Sequence, residues 1–385
     1  MYSKKIALAM IVKDEAHIIQ RCLDSVKPLI DYVYIADTGS TDNTVGLINI
    51  WLQKNNIKGQ VVRHSWKDFA SNRTRVLDEV RDLFGIDYVL TIDADEILTY
   101  DEDVDLETFK KGMHHDLYRI CCRYGSVEYM RDNLLKNSMP YYYKGILHEF
   151  LECKMTAKNQ AILKGVYNVP IQDSARNADV DKIRKDAERL EEIIKTETDP
   201  YMLARYTFYL AQSYRDCDEP SEAIRVYADR MNLQGWDQER YVSLIQSAML
   251  KETLDYTAAE ILNQYMTARE ICPHRAEDLY RAARYCYTHD RPHMAVSFIK
   301  QALLIPHPVE GLFLEDWLWQ FGLKDALMVC AHQLGNNDES LKLARELLSL
   351  VPDSEKQRIQ DNIRYLEKAI KEKEQKNESA LCQQV

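Results

Sequence analysis

Between residues 6 and 93 the chain alternates short apolar runs with amphipathic ones, and that alternation limits its fold more than any other feature. IALAMIV (6–12) reads as a continuous buried strand, and the segment after it carries Ile18, Ile19, Cys22, Leu23 and Val26 on one helical face. YVYIAD (32–37), VVRHSW (61–66) and YVLTID (88–93) read as further strands, separated by helices over TVGLINIWLQKN (44–55) and FASNRTRVLDEVRDLF (69–84). Such alternation builds right-handed crossover units and a mostly parallel sheet covered on both faces. Ligands of these α/β sheets bind beyond the carboxyl ends of the strands.

From about residue 176 the strand signal stops and helical periodicity takes over. Ala211, Tyr214, Ala223 and Tyr227 stand at relative positions 0, 3, 12 and 16, and Ala283, Cys286, Ala295 and Ile299 repeat those offsets, as do Met328, Ala331, Ser340 and Ala344. LGNNDESLKLARELLSLVPDS (334–354) has the small–large spacing, polar turn and closing proline of a tetratricopeptide helix pair. The steps between units, 72 and then 45, mark an interrupted array. Stacked pairs of this kind bury one another's apolar stripes and leave a concave face. The reading divides the chain into an α/β domain over 1–172, an all-α, TPR-like helical-repeat domain over 173–370 and a flexible tail over 371–385.

Composition excludes several classes. Fifty Lys and Arg against 61 Asp and Glu give a net charge of −11, so the counter-charge that a nucleic-acid backbone demands is missing. No apolar run reaches the roughly 18–20 residues of a bilayer crossing, and the first run stops at Lys13-Asp14-Glu15 with no small-residue cleavage site. Nine cysteines without a Cys-x-x-Cys pair fit free thiols in a reducing, cytoplasmic setting. Neither a Gly-x-x-x-x-Gly-Lys loop nor a Gly-x-Gly-x-x-Gly turn occurs.

The chemistry-bearing residues gather where the sheet rule directs. Asp93-Ala94-Asp95-Glu96 follows a buried strand, and on an extended backbone Asp93 and Asp95 point the same way. Paired carboxylates suit Mg²⁺ or Mn²⁺, whose shells substrate phosphates complete. Asp37 ends the second strand, with Gly39 for the turn and Thr41 or Asp42 for the helix cap. Tyr141-Tyr142-Tyr143 read first as a packed strand and second as an acceptor contact.

In this order the residues resemble the family 2 inverting glycosyltransferases of the GT-A fold. Ile11-Val12-Lys13-Asp14-Glu15 is similar to that family's first nucleotide loop, Asp37-Thr38-Gly39-Ser40-Thr41-Asp42-Asn43-Thr44 to its second turn, and Asp93-Ala94-Asp95 to its DxD. Trp66-Lys67-Asp68-Phe69-Ala70-Ser71-Asn72-Arg73, Gly145-Ile146-Leu147-His148-Glu149 and the Gly235-Trp236-Asp237 step resemble a branch with helical repeats that includes peptide S-glycosyltransferases. The resemblance implies Glu15 and Asp37 on a nucleoside, uridine, with Val12 and Ala94 also on the nucleotide-sugar path. It implies Asn72 and Arg75 near ribose or pyrophosphate, with a solvated helix face as the alternative for Arg73 and Arg75. Asp93 would face the ribose or metal, and Asp95 and His148 would ligate Mn²⁺ or Mg²⁺. Asp95 and Glu149 are the catalytic candidates. The family's usual base, an E/T-D pair opening a helix, is missing after residue 125, as is its Q-x-x-R-W segment. Glu149 is the nearest substitute, or else a structural partner of Arg131 or Lys144.

The implied activity is hexosyl transfer from a nucleoside diphosphate sugar, most simply a UDP-sugar, to a protein, peptide or glycan, with homo-oligomerisation through the helical half compatible with the layout. The alternatives are a nucleotidyltransferase, which normally needs a glycine-rich loop after its first strand, and a repeat-based interaction protein that binds nucleotide without turnover.

Overall fold

The computed structural model describes residues 2–125, 127–156, 159–176 and 181–382. It divides into two units, Met1–Arg189 and Leu190–Val385. The division falls later than the sequence boundary at 172, because the chain after the last strand stays on the first unit: Asp173 receives Arg21 at 2.7 Å through both carboxylate oxygens.

The first unit runs β1 (Ile6–Val12), α1 (Ile19–Val26), β2 (Tyr32–Asp37), α2 (Thr44–Asn55), β3 (Lys58–Arg63), α3 (Phe69–Arg81), β4 (Tyr88–Thr91), β5 (Glu96–Tyr100), α4 (Leu106–Gly112), β6 (Leu117–Tyr124), β7 (Val127–Lys136), β8 (Tyr141–Lys144), β9 (Phe150–Cys153) and β10 (Gln160–Pro170), and the division falls within α5 (Lys182–Ile194). Eight strands form one sheet in the order β3-β2-β1-β4-β7-β6-β10-β5, and β8 pairs with β9 separately. Pairings β3–β2, β2–β1, β1–β4 and β6–β10 are parallel, while β4–β7, β7–β6 and β10–β5 are antiparallel.

β1 is apolar throughout because both its faces are covered. Ile6, Leu8 and Met10 meet Ile19, Cys22, Leu23 and Val26 of α1 on one side. On the other, Ala7 and Ala9 are small enough for α3 to press Val76, Leu77 and Val80 against the sheet. Burying each large aliphatic side chain contributes roughly 1.5–3 kcal/mol. β3 begins and ends three residues earlier than expected, since register with β2 runs from Lys58 opposite Tyr32 to Arg63 opposite Asp37. Its edge position leaves Lys58, Gly59 and Gln60 exposed, which weakens the apolar signal that a sequence reading follows. β4 likewise ends at Thr91, so Asp93–Asp95 is a turn closed by Glu96 N–H donating to Asp93 O (3.1 Å), not an extended run.

The second unit is all helical: α6 (Pro200–Asp216), α7 (Pro220–Met231), α8 (Asp237–Thr253), α9 (Ala258–Ile271), α10 (Glu277–Thr288), α11 (Pro292–Ala302), α12 (Leu323–Gln333), α13 (Asn337–Leu347) and α14 (Asp353–Cys382). Consecutive helices pack as antiparallel pairs, α6 on α7, α8 on α9, α10 on α11 and α12 on α13. All twelve residues of the repeating offsets are buried. The long step of 72 contains the pair α8–α9, whose buried Ala248, Ile261 and Tyr265 stand at offsets 0, 13 and 17, one residue longer across the turn. The step of 45 contains the insertion between α11 and α12, with its π-helical turn Leu318–Gly322. There Trp317 packs edge-on to Tyr280 of α10 at 5.4 Å. The segment 371–382, read as a flexible tail, continues α14 as helix.

The Gly235-Trp236-Asp237 step has a packing cause. Arg230 is fully buried and its guanidinium donates to Leu233 O (3.1 Å), Trp236 O (3.4 Å) and Glu239 Oε2 (3.1 Å). A Cβ at position 235 would lie 3.1 Å from Arg230 Nη2, on a backbone with φ +144°, so glycine is what fits.

Candidate active site

A cleft of about 710 Å³ opens at the carboxyl ends of β1 and β4. Its walls lie entirely within the first unit. Of the sequence-predicted site residues, Val12, Glu15, Asp93, Ala94, Asp95, His148 and Glu149 line it; Asp37, Asn72 and Arg75 do not.

The floor is set by two turns tied together. Asp14, at φ +56°, accepts at Oδ1 from Thr41 N–H (2.6 Å), while its own N–H donates to Ser40 Oγ (2.9 Å). Glu15 N–H donates to Thr44 Oγ1 (2.8 Å). The Asp-Thr-Gly-Ser-Thr-Asp run therefore holds the first loop in shape, and only Thr38 of it reaches the cleft. Asp37 is fully buried, accepts from Ser40 N–H (3.0 Å) at one oxygen, and has Arg63 Nε 3.7 Å from the other, which lacks a hydrogen-bond partner.

The acidic turn separates its carboxylates. Asp93 Oδ1 is 2.5 Å from Arg73 Nη2, and Oδ2 is 4.0 Å from Arg131 Nη2. Burial works against its charge, but the two guanidinium groups win and hold it below the usual carboxylate range. Glu96 is paired with Arg131, accepts from Asn168 Nδ2 (3.0 Å) and from Asp93 N–H (3.2 Å), and fixes the turn. Asp95 remains on the cleft wall. Both aspartates line the cleft, from a turn and not from the extended run expected of them.

Helix α3 shows a similar division. Asn72, expected near ribose, is buried and bonds to Lys67 N–H (2.9 Å) and Ser65 O (3.1 Å), closing the loop that enters the helix. Arg75, expected beside it, pairs with Glu79 at 2.9 Å on an exposed face. Arg73 is the guanidinium that reaches the cleft, joining Asp93 to Glu149 Oε1 (2.9 Å). Glu149 thus pairs with Arg73, while Arg131 pairs with Glu96. Arg73 lies at helical spacing from the buried Val76, Leu77 and Val80, so periodicity sets it on the sheet-facing side. None of Tyr141, Tyr142 and Tyr143 lines the cleft; Tyr143 instead lies under Arg73, ring to guanidinium 5.7 Å.

Trp66, Phe69, Arg176, Lys182 and Asp186 also line the cleft, and no motif singled out the last three. Six carboxylates face four Lys and Arg there. Among the described residues no group of three or more His, Cys, Asp and Glu is arranged to hold an ion unaided. Asp95 and His148 supply one carboxylate and one imidazole to the cleft lining, donor types that fit Mg²⁺ or Mn²⁺ when phosphate oxygens complete the shell.

Burial raises the Glu15 carboxyl to about 7, against a backbone hydrogen bond from Ala175 that lowers it. Its folded value therefore lies above the unfolded 4.5. The proton favours the folded chain fully below about pH 4.5, and this contribution is lost as pH rises through 7. Glu15→Gln, neutral throughout, is expected to match the parent near pH 4.5 and exceed it by about 1–3 kcal/mol at pH 8. Denaturation across that range checks it; a constant difference would refute the buried, proton-bearing Glu15.

No helix among the described residues is long and apolar enough to cross a membrane. The sequence model described as Glycosyl transferase family 2 matches residues 8–163. A TPR repeat-containing protein of Synechococcus elongatus is 27% identical over 161 residues, 40% of this chain and 38% of that protein. An uncharacterized glycosyltransferase of Rickettsia bellii is 29% identical over 118 residues, 31% of this chain and 37% of its own. The chain thus spans little more than a third of the length of these relatives. A solved tetratricopeptide repeat protein from Parabacteroides merdae overlaps 49% of this chain and 67% of its own at 17% identity, with a TM-score of 0.38, too low to bear on the helical unit. Most of the residues lining the strand-end cleft fall within 8–163, the segment that matches the Glycosyl transferase family 2 model.

Proposed function

We propose that this chain is a metal-dependent glycosyltransferase that moves a hexose from a nucleoside diphosphate sugar, with uridine as the nucleoside, to a protein, peptide or glycan acceptor. The observation that supports it most is one cleft, lined by Val12, Glu15, Asp93, Asp95, His148 and Glu149, all within the segment that matches the family 2 model. The acceptor's nucleophile attacks the anomeric carbon while the bond from that carbon to the diphosphate oxygen breaks. Charge collects on the departing diphosphate, and a cleft with six carboxylates against four Lys and Arg repels it. A divalent cation held by Asp95 and His148 would supply the missing positive charge. Asp37 acts from behind the cleft, holding Ser40, whose hydroxyl in turn fixes the first nucleotide loop at Asp14. Glu149 is the candidate base, oriented by Arg73. Eight free cysteines among the described side chains support a reducing, cytoplasmic setting.

Hydrolysis and binding of UDP-, GDP- and dTDP-sugars, with Mn²⁺ and with chelator, test the reading. Metal-dependent release of one nucleoside diphosphate is expected. Absence of both binding and turnover for every donor would overturn it and leave the helical unit's surface as the place to seek function.

A further inference from the structure

We propose that Arg176 and Lys182, on the chain that follows the last strand, form an anion-binding pair for the donor's diphosphate. This deepens the reading of the cleft as a sugar-nucleotide site and rests on it. Three contacts bring that segment to the cleft. Ile171 N–H donates to Asp95 O (2.9 Å), His17 Nε2 lies 2.8 Å from Asp173 O beside the Arg21–Asp173 pair, and Ala175 N–H donates to Glu15 Oε2 (3.3 Å). The segment is therefore fastened to both the acidic turn and the first loop just before Arg176.

The other cations of the cleft are less suited. Lys13 is exposed, and Arg73 already bridges Asp93 and Glu149. Arg176 stacks over Phe69 at 4.7 Å and is held by Asp186 through Nη2 alone, with both carboxylate oxygens 2.7 Å away. Its remaining donors keep the planar fork that matches phosphate oxygens. Lys182 is partly buried on the same wall. Burial first, and Arg176 second, lower its pKa, while Asp186 and Asp95 act in the opposite sense. An ammonium disfavoured by burial and by a neighbouring guanidinium is stabilised by an arriving anion. With Asp95 among the charges it senses, Lys182 stands where phosphate oxygens could be shared between this pair and an ion at Asp95.

The test is equilibrium binding of UDP, GDP and dTDP and of their nucleosides to the full chain, with Mg²⁺ and with chelator. For the nucleoside diphosphate that binds, Lys182→Gln and Arg176→Gln are each expected to weaken affinity roughly tenfold, more with chelator than with Mg²⁺. Affinity for the matching nucleoside should be unchanged. Lys182→Arg should restore most of the loss, and Lys54→Gln, an exposed lysine of α2, should change nothing. Equal losses for nucleoside and diphosphate, or no loss, overturn the pair while the proposed function stands. If the parent binds no nucleoside diphosphate, the function falls and the pair with it. Thermal melts of both Gln variants separate binding from folding.

Discussion

Asp95→Asn is expected to lower sugar-nucleotide turnover by roughly 10²–10³-fold, with melting unchanged, whereas Asp93→Asn should principally destabilise the fold. The two residues are separated by one alanine and both line the cleft, but Asp93 also carries the ion pairs to the enclosed guanidinium groups. Asp93 is the counter-charge of Arg73 and, more distantly, of Arg131. Both guanidinium groups are largely enclosed, with side-chain exposures of 15% and 33%. Neutralising Asp93 leaves them short of an anion, and breaking such a pair costs about 2–4 kcal/mol. Asp95 lines the cleft, so its loss is felt by substrate, metal and chemistry. Denaturation and donor hydrolysis, run on both variants, check the assignment. Turnover lost with stability intact in Asp93→Asn, and the reverse in Asp95→Asn, would exchange the roles.

Arg275→Met should cost the helical unit about 3–5 kcal/mol, the largest stability effect of any single substitution considered. Arg275 is 2% exposed and sits at the entrance to α10. Its guanidinium donates to Glu277 at Oε2 (3.1 Å) and Oε1 (2.5 Å), to Gln238 Oε1 on α8 (2.7 Å), and to Leu312 O (2.8 Å) in the insertion before α12. Methionine fills similar volume but leaves Glu277, 1% exposed, as a buried charge without its cation. Adding Glu277→Leu should recover a large part of the loss, because replacing both partners removes the unpaired charge. Denaturant melts followed by helical circular dichroism measure both. A single variant within about 1 kcal/mol of the parent would show that the pair is dispensable.

The parallel half of the sheet was legible because β1, β2 and β4 are buried on both faces and read as unbroken apolar runs. Of the strands from β5 to β10 only β8 was read, in its tyrosine run: β10 alternates buried and half-exposed residues, and β6 ends in two exposed ones. Most of the cleft followed from motifs at strand ends. Asn72 and Arg75 did not, since side-chain roles there depend on how α3 is rotated: Asn72 is buried in the loop that enters the helix and Arg75 is exposed. Arg176 and Lys182 were invisible because their position depends on contacts to residues about 75 to 160 positions earlier, which local pattern does not encode. In the helical unit, one extra residue in the α8–α9 turn was enough to conceal a pair from a fixed-offset reading.

The acidic turn joins β4, in the middle of the sheet, to β5, at its far edge, and β5 pairs there with β10. The order in which the chain leaves the ribosome therefore matters. Every carboxylate from Glu15 to Glu96 has been synthesised about 75 residues before the end of β10, several seconds or more at about 5–20 residues per second. During that interval β5 lacks its partner, and the contacts that Ile171 and Ala175 make to the acidic turn and first loop do not yet exist. The cleft is completed from its C-terminal side. A fragment ending before residue 160 would contain the acidic motifs without the strand that seats them, and its missing piece, supplied separately, would have to arrive as a β-strand.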